Sequence, residues 1–185
     1  MSKGKLFVIS GPSGCGKDTI MQRVFQNLPE LKFSISSVTR PMRAGEKKGE
    51  KYHFVSREEF EKMIADDKLL EYNCFVGNYY GTPIDPVKEC ISKGEDMLIE
   101  VDVNGAANIR AKLPEAVSIF IMPPSVETLE ERLRARATES EDVLQKRIAA
   151  AKGEIERASE FNYVVINDDL DTAVREVVEI IKQKR

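Results

Sequence analysis

The heptapeptide Gly11-Pro12-Ser13-Gly14-Cys15-Gly16-Lys17 decides the fold. Before it runs Leu6-Phe7-Val8-Ile9-Ser10, a short continuous apolar stretch of the kind that forms a strand buried on both faces. After it, Ile20, Met21, Val24, Phe25 and Leu28 recur at helical spacing, and Pro29 closes the pattern. Strand, glycine-rich turn and helix in this order make a phosphate cradle. The glycines let successive N–H groups face one concavity, the helix starting at Lys17 adds the positive end of its dipole, and the lysine carries a mobile cation to the outer phosphates. The motif expects Ser or Thr after the lysine, for magnesium, whereas this chain has Asp18, with Thr19 next. Two readings of Asp18 stay open: a charge that suits the helix N-terminus, or a carboxylate ligand, direct or through water, to magnesium on the nucleotide phosphates.

Outward from this point, strand and helix patterns alternate. Buried-strand patterns over 97–101, 117–121 and 163–166 are each followed by a helical one, over about 106–113, 126–136 and 170–184. Such alternation predicts right-handed crossovers and a parallel sheet covered on both faces. Residues 33–92 break the rhythm with short mixed strands, the turn-formers Asn78, Gly81 and Pro83, and two helical patches. In the first patch Ser56 and Glu59 have capping-box spacing ahead of Phe60, Met63 and Ile64; the second, about 86–93, stops at Gly94. This stretch reads as an insertion, and 125–159 as mostly charged helix.

The chain has 185 residues with 42% hydrophobic and 32% charged, values of one folded domain that needs no metal or disulfide to hold it. Its net charge of −3 gives no support for a nucleic-acid partner. The single histidine, His53, removes most zinc-site readings, and three cysteines without a C-x-x-C pair point to reduced thiols. No signal-peptide pattern or 18-residue apolar window occurs, so a cytoplasmic protein without membrane association is expected.

Further chemistry is carried by Ser36-Ser37-Val38-Thr39-Arg40-Pro41-Met42-Arg43-Ala44-Gly45-Glu46, where two arginines flanking a proline can aim both forks at one phosphate. Gly77-Asn78-Tyr79-Tyr80-Gly81-Thr82 reads by itself as a hairpin. Glu100 and Asp102 follow the apolar Met97-Leu98-Ile99 and so fall near a strand's carboxyl end, where doubly wound sheets bind ligands; ordinary strand-end charges are the alternative.

Together these segments, with Tyr52-His53-Phe54-Val55-Ser56, Ser118-Ile119-Phe120-Ile121-Met122-Pro123-Pro124-Ser125 and Val165-Ile166-Asn167-Asp168-Asp169, resemble the guanylate kinase family over nearly the whole chain. The resemblance implies an α/β fold of the P-loop NTPase type: a parallel sheet flanked by helices (1–32, 93–124 and 160–185), a mixed α/β monophosphate-binding insertion (33–92) and a helical lid (125–159). It implies transfer of the ATP γ-phosphoryl group to GMP, and to dGMP, with magnesium, by a monomer or homodimer. Gly11 to Thr19 and Asn167 match ATP-binding positions, Asn167 near the adenine. Arg40, Arg43, Tyr52 and Tyr80 match positions that hold the GMP phosphate, while Ser36, Glu71 and Thr82 match those that read guanine. A carboxylate at Glu71 accepts from the ring N–H and amino group of guanine, donors that adenine does not offer on that edge, and such sites discriminate by up to about 10⁴-fold. Glu100 matches a position near the magnesium or its waters, with Asp18 as the other metal candidate, and Asp102 one near the GMP.

Arg134, Arg136 and Arg147 resemble the family's transition-state cations, joining Lys17 and Arg40 as catalytic candidates; Arg132 reads as a solvated helix charge. Since positions 134 and 136 face different ways on a helix, both reach inward only where the helix ends. Departures from the family pattern include alanines beside Arg134 and Arg136, and Val103 and Asn104 where Trp and Gln are frequent. The competing readings are a ribose bisphosphate kinase of the same fold and a non-catalytic guanylate-kinase-like interaction module.

Overall fold

Strand β1 (Leu6–Ser10) is buried along its whole length and lies at the centre of a five-stranded parallel sheet. The other strands are β2 (Lys32–Phe33), β7 (Met97–Glu100), β8 (Val117–Met122) and β9 (Tyr163–Ile166), in the order β2-β7-β1-β8-β9. The computed structural model describes residues 3–75, 77–136 and 140–185, with Arg136 described through its backbone alone. Because side chains alternate along a strand, β1 feeds two cores. Phe7 and Ile9 join Ile20 and Val24 of α1 (Lys17–Asn27) and Val174, Val177 and Ile181 of α7 (Leu170–Lys184). Leu6 and Val8 join Val87 of α3 (Ile84–Ser92) and Ala106 and Ile109 of α4 (Val103–Lys112).

A second, four-stranded sheet has the order β4-β3-β6-β5, formed by β3 (Ser36–Val38), β4 (Tyr52–Phe54), β5 (Leu69–Phe75) and β6 (Asn78–Pro83). Only β3 and β4 are parallel among its pairs. Helix α2 (Arg57–Ala65) begins in the expected capping box: the Ser56 hydroxyl accepts from the Glu59 N–H at 3.0 Å, and the Glu59 carboxylate accepts from the Ser56 N–H at 2.7 Å. Its apolar face is narrower than the spacing predicts, with Phe60 buried and Met63 and Ile64 only half-buried.

Helices α5 (Val126–Arg136) and α6 (Glu141–Glu156) pack on each other through a small separate core of Leu129, Leu133, Leu144, Ile148 and Ala151. Helix α4 starts three residues earlier than its apolar pattern, because the Asp102 carboxylate caps it by accepting from the Gly105 N–H at 2.7 Å. Among the described residues no helix is long and apolar enough to cross a membrane.

Candidate active site

Between the two sheets, at the carboxyl ends of β1 and β7, lies a cavity of about 530 Å³. One wall is the glycine-rich loop. Gly11 can have no side chain, since a Cβ there would stand 2.4 Å from the Ile121 carbonyl oxygen. Gly16 precedes α1 at φ 92°, and a Cβ on it would lie 2.4 Å from the Asn167 amide nitrogen. The Lys17 ammonium donates to the Gly11 carbonyl at 2.7 Å, folding the side chain back across the loop. Pro12 and Cys15 are buried, Ser13 and Thr19 exposed, and Gly14 half-buried against Leu129 and Leu133 of α5. Burial raises the Cys15 thiol above its ordinary pKa, more than the Lys17 charge lowers it, so the thiol stays protonated and unreactive.

The Asn167 side chain is buried and donates to the Cys15 carbonyl at 2.8 Å, tying the turn after β9 to the loop. Arg132 corrects one expectation: it is half-buried and donates to the Asn167 carbonyl at 3.3 Å, so it is not a solvated charge. Arg147 of α6 donates to the Ser13 hydroxyl at 3.0 Å. Arg134 instead reaches Glu141 at 3.0 and 3.1 Å, on the surface between α5 and α6. Arg136 is the last described residue of helix α5, and its side chain lies outside the described residues.

The opposite wall comes from the second sheet. The rings of Tyr52 and Tyr80 line it with centroids 6.5 Å apart, and the Arg40 guanidinium stacks 5.1 Å from the Tyr52 ring. Arg40 is buried, and both its terminal nitrogens donate to Glu46, at 2.6 and 2.8 Å. This pairing holds the Glu46 carboxyl down at about 2. Arg43 gives Glu46 only its backbone N–H, at 2.8 Å, and its side chain is exposed. The two forks expected to share one target therefore diverge here, Arg40 held by Glu46 and Arg43 facing solvent.

Deeper between the walls, Glu71 is buried and not the exposed strand carboxylate that position alone allows. Thr82 donates to its Oε1 at 2.6 Å, and Ser36 lines the same cavity. Burial pushes the Glu71 carboxyl up to about 7; the Thr82 hydrogen bond opposes the shift and the Asp102 charge adds to it. Gly105 of α4 lies against this carboxylate, where an added Cβ would come within 2.9 Å of Oε2. Asp102, besides capping α4, accepts from Asn73 at 2.8 Å. Glu100 and Asp18 lie across a single ammonium, that of Lys51, at 3.5 and 3.7 Å.

Sequence reasoning missed Lys51, Asn73, Phe75, Glu154 and Glu46. For some a signal existed. Glu71, Asn73 and Phe75 follow the period of two along β5 and all line the cavity. Glu154 falls two turns after Arg147 on α6 and likewise lines the cavity; burial raises its carboxyl above the ordinary range, against the pull of Lys17. For Lys51 no local pattern existed.

Known proteins agree with this architecture. A family model described as guanylate kinase matches residues 3–184. A guanylate kinase of Synechocystis is 48% identical over 182 residues, covering 98% of this chain and 95% of the relative. One of Lactobacillus delbrueckii subsp. bulgaricus is 48% identical over 180 residues, covering 97% and 88%. The crystal structure of guanylate kinase from Anaplasma phagocytophilum superposes with a TM-score of 0.79 at 30% identity, covering all of this chain and 87% of that one. With a glycine-rich loop facing a second sheet across one cavity, and likeness of this extent, the chain belongs to the guanylate kinase family.

Proposed function

We propose that the chain transfers the γ-phosphoryl group of ATP to GMP, and to dGMP, giving ADP and GDP or dGDP. The observation that carries this reading is Glu71: a buried carboxylate, bonded by Thr82 and facing the same cavity as Lys17 and the loop. Guanine offers two adjacent donors to such a group, and pairing them compensates for keeping the carboxylate out of water.

In this reading the loop amides from Gly11 to Thr19 and Lys17 take the ATP phosphates. Asn167 holds the loop's shape through Cys15 and stands at the adenine end of the ATP site. Tyr52, Tyr80, Arg40 and Arg43 take the GMP phosphate, with Ser36, Glu71 and Thr82 on the guanine and Asp102 supporting them through Asn73. Phosphoryl transfer asks mainly for positioning and for positive charge on the migrating group. Arg147 is supported by its bond to Ser13 at the loop; Arg134 serves only after leaving Glu141, and Arg136 is a candidate by position. The attacking phosphate oxygen is already anionic, so no general base is needed.

Asp18 and Glu100 fit a magnesium ion. They are hard oxygen donors already gathered around one cation, and magnesium is usually held by one or two carboxylates together with substrate phosphates. Among the described residues no group of three or more His, Cys, Asp or Glu side chains could hold a metal. When bound, the ion supplies charge neutralisation on the phosphate oxygens.

The division of labour follows the two sheets. Residues 1–32, 93–124 and 160–185 form the donor core, 33–92 the acceptor-binding insertion, and 125–159 a lid whose closure keeps water from competing as acceptor. We place the enzyme in the cytoplasm, as a monomer or homodimer with small-molecule substrates. Calorimetric titration of the nucleotide-free protein with GMP and AMP tests the guanine readout: GMP binds at least about 100-fold more tightly if Glu71 reads the base. Equal affinities refute it.

A further inference from the structure

Among the described residues, five carboxyl side chains line the cavity against two lysines, Lys17 and Lys51. Carboxylates in that number oppose the polyanions the site takes, so what each lysine is engaged with matters. Lys17 is engaged with the loop carbonyl of Gly11 at 2.7 Å. Lys51 does something the known reaction does not assign: its ammonium lies 3.5 Å from Glu100 and 3.7 Å from Asp18.

Three separate parts of the fold meet in this contact. Lys51 immediately precedes β4 in the second sheet, and its backbone is fixed there by its carbonyl, which accepts from the Ser36 N–H at 3.3 Å. Asp18 belongs to the first turn of α1, and Glu100 ends β7 in the main sheet. The side chain of Glu100 is 20% exposed and that of Lys51 48%, so the pair is partly withdrawn from water while remaining open to exchange. Asp18 is also where the phosphate-loop motif expects a neutral hydroxyl. The extra negative charge of this chain and the cation that answers it therefore touch.

We propose that Lys51 is a positioning residue: in the nucleotide-free enzyme its ammonium occupies the Asp18–Glu100 carboxylate pair, and it yields that pair to the divalent cation when nucleotide phosphates draw it away. The inference rests on the reading of Asp18 and Glu100 as the metal carboxylates. A divalent ion on these carboxylates meets the repulsion of the neighbouring Lys51 ammonium, so Lys51 and a free divalent ion compete for the pair. Metal then enters with the nucleotide, not ahead of it. Lys51 also links the sheet that carries the acceptor to the loop that carries the donor, so its release coincides with both being filled.

The test is binding of Mn²⁺ to the nucleotide-free enzyme, read from the electron paramagnetic resonance signal of the free ion, which needs no turnover. Lys51→Met removes the charge and keeps the apolar stem. Each of two part-exposed ion pairs is worth at most about fivefold in an equilibrium constant, so Lys51→Met is expected to tighten Mn²⁺ binding about tenfold. Lys51→Arg, which keeps the charge, stays close to wild type, and adding Asp18→Asn to Lys51→Met removes the gain. Equal Mn²⁺ dissociation constants in wild type and Lys51→Met, or no detectable binding in either, overturn the proposal. GMP-dependent ADP formation by wild type, measured alongside, separates the two readings: its absence overturns the kinase assignment, while normal turnover with equal Mn²⁺ constants overturns the role of Lys51 alone.

Discussion

Replacing Glu71 by Gln separates what the buried carboxylate costs the fold from what it does for the substrate. Glutamine keeps the volume and still accepts from Thr82 but never ionises. In the folded, ligand-free chain the Glu71 carboxyl is raised from 4.5 to about 7 by burial, so the native state binds this proton more tightly than the unfolded chain. The native state is therefore favoured below pH 4.5, loses stability as pH rises toward 7, and levels off above. The interval of roughly 2.5 pH units corresponds to about 3 kcal/mol at 25 °C. Glu71→Gln is thus expected to match wild type near pH 4.5 and to exceed it by up to about 3 kcal/mol at pH 8. For a chain of this size that is about 6–12 °C in Tm. Urea unfolding of both proteins without ligand at pH 5, 6, 7 and 8 measures the difference. The same variant turns an amide N–H toward the guanine donors, so GMP binding weakens while ATP binding does not. A stability difference that stays constant between pH 5 and pH 8, or a variant less stable than wild type at pH 8, refutes the reasoning.

Other expectations follow from single contacts. Arg40→Lys replaces a two-point fork with a point charge, so the KM for GMP rises about 10- to 100-fold while the KM for ATP changes little, in steady-state kinetics. Asn167→Ala leaves the buried Cys15 carbonyl without its donor; urea unfolding should show a loss of about 1–2 kcal/mol, accompanied by a higher KM for ATP. Gly105→Ala brings a Cβ to 2.9 Å from Glu71, displacing the carboxylate. Its stability should stay within about 1 kcal/mol of wild type while calorimetry finds GMP affinity reduced about tenfold. A Gly105→Ala protein that binds GMP normally would detach Glu71 from the base.

Legibility in the sequence followed the range of the interactions involved. Strand β1, the glycine loop and α7 depend on runs and periods contained in one segment, and their bounds follow the pattern closely. The capping box of α2 is local as well. Strand β2 has two residues, too few to show any period, and exists because Lys32 and Phe33 can pair with Met97 and Leu98. Asp102 reads as a strand-end charge until the helix it caps is seen to begin beside it. Arg132 reads as a solvated charge because its partner, the Asn167 carbonyl, lies 35 residues further along the chain, beyond any helical spacing. Lys51 and Glu46 find their partners across sheets or around a turn, where no spacing rule reaches.

The most direct measurement is a coupled assay of ADP formation at fixed ATP and Mg²⁺, with GMP or AMP as the only variable. If one cavity seats ATP on the glycine loop and reads guanine through Glu71, GMP supports rapid ADP formation and AMP falls short in kcat/KM by about 10³- to 10⁴-fold. Equal rates with the two acceptors, or ADP formation that ignores both, contradict the account.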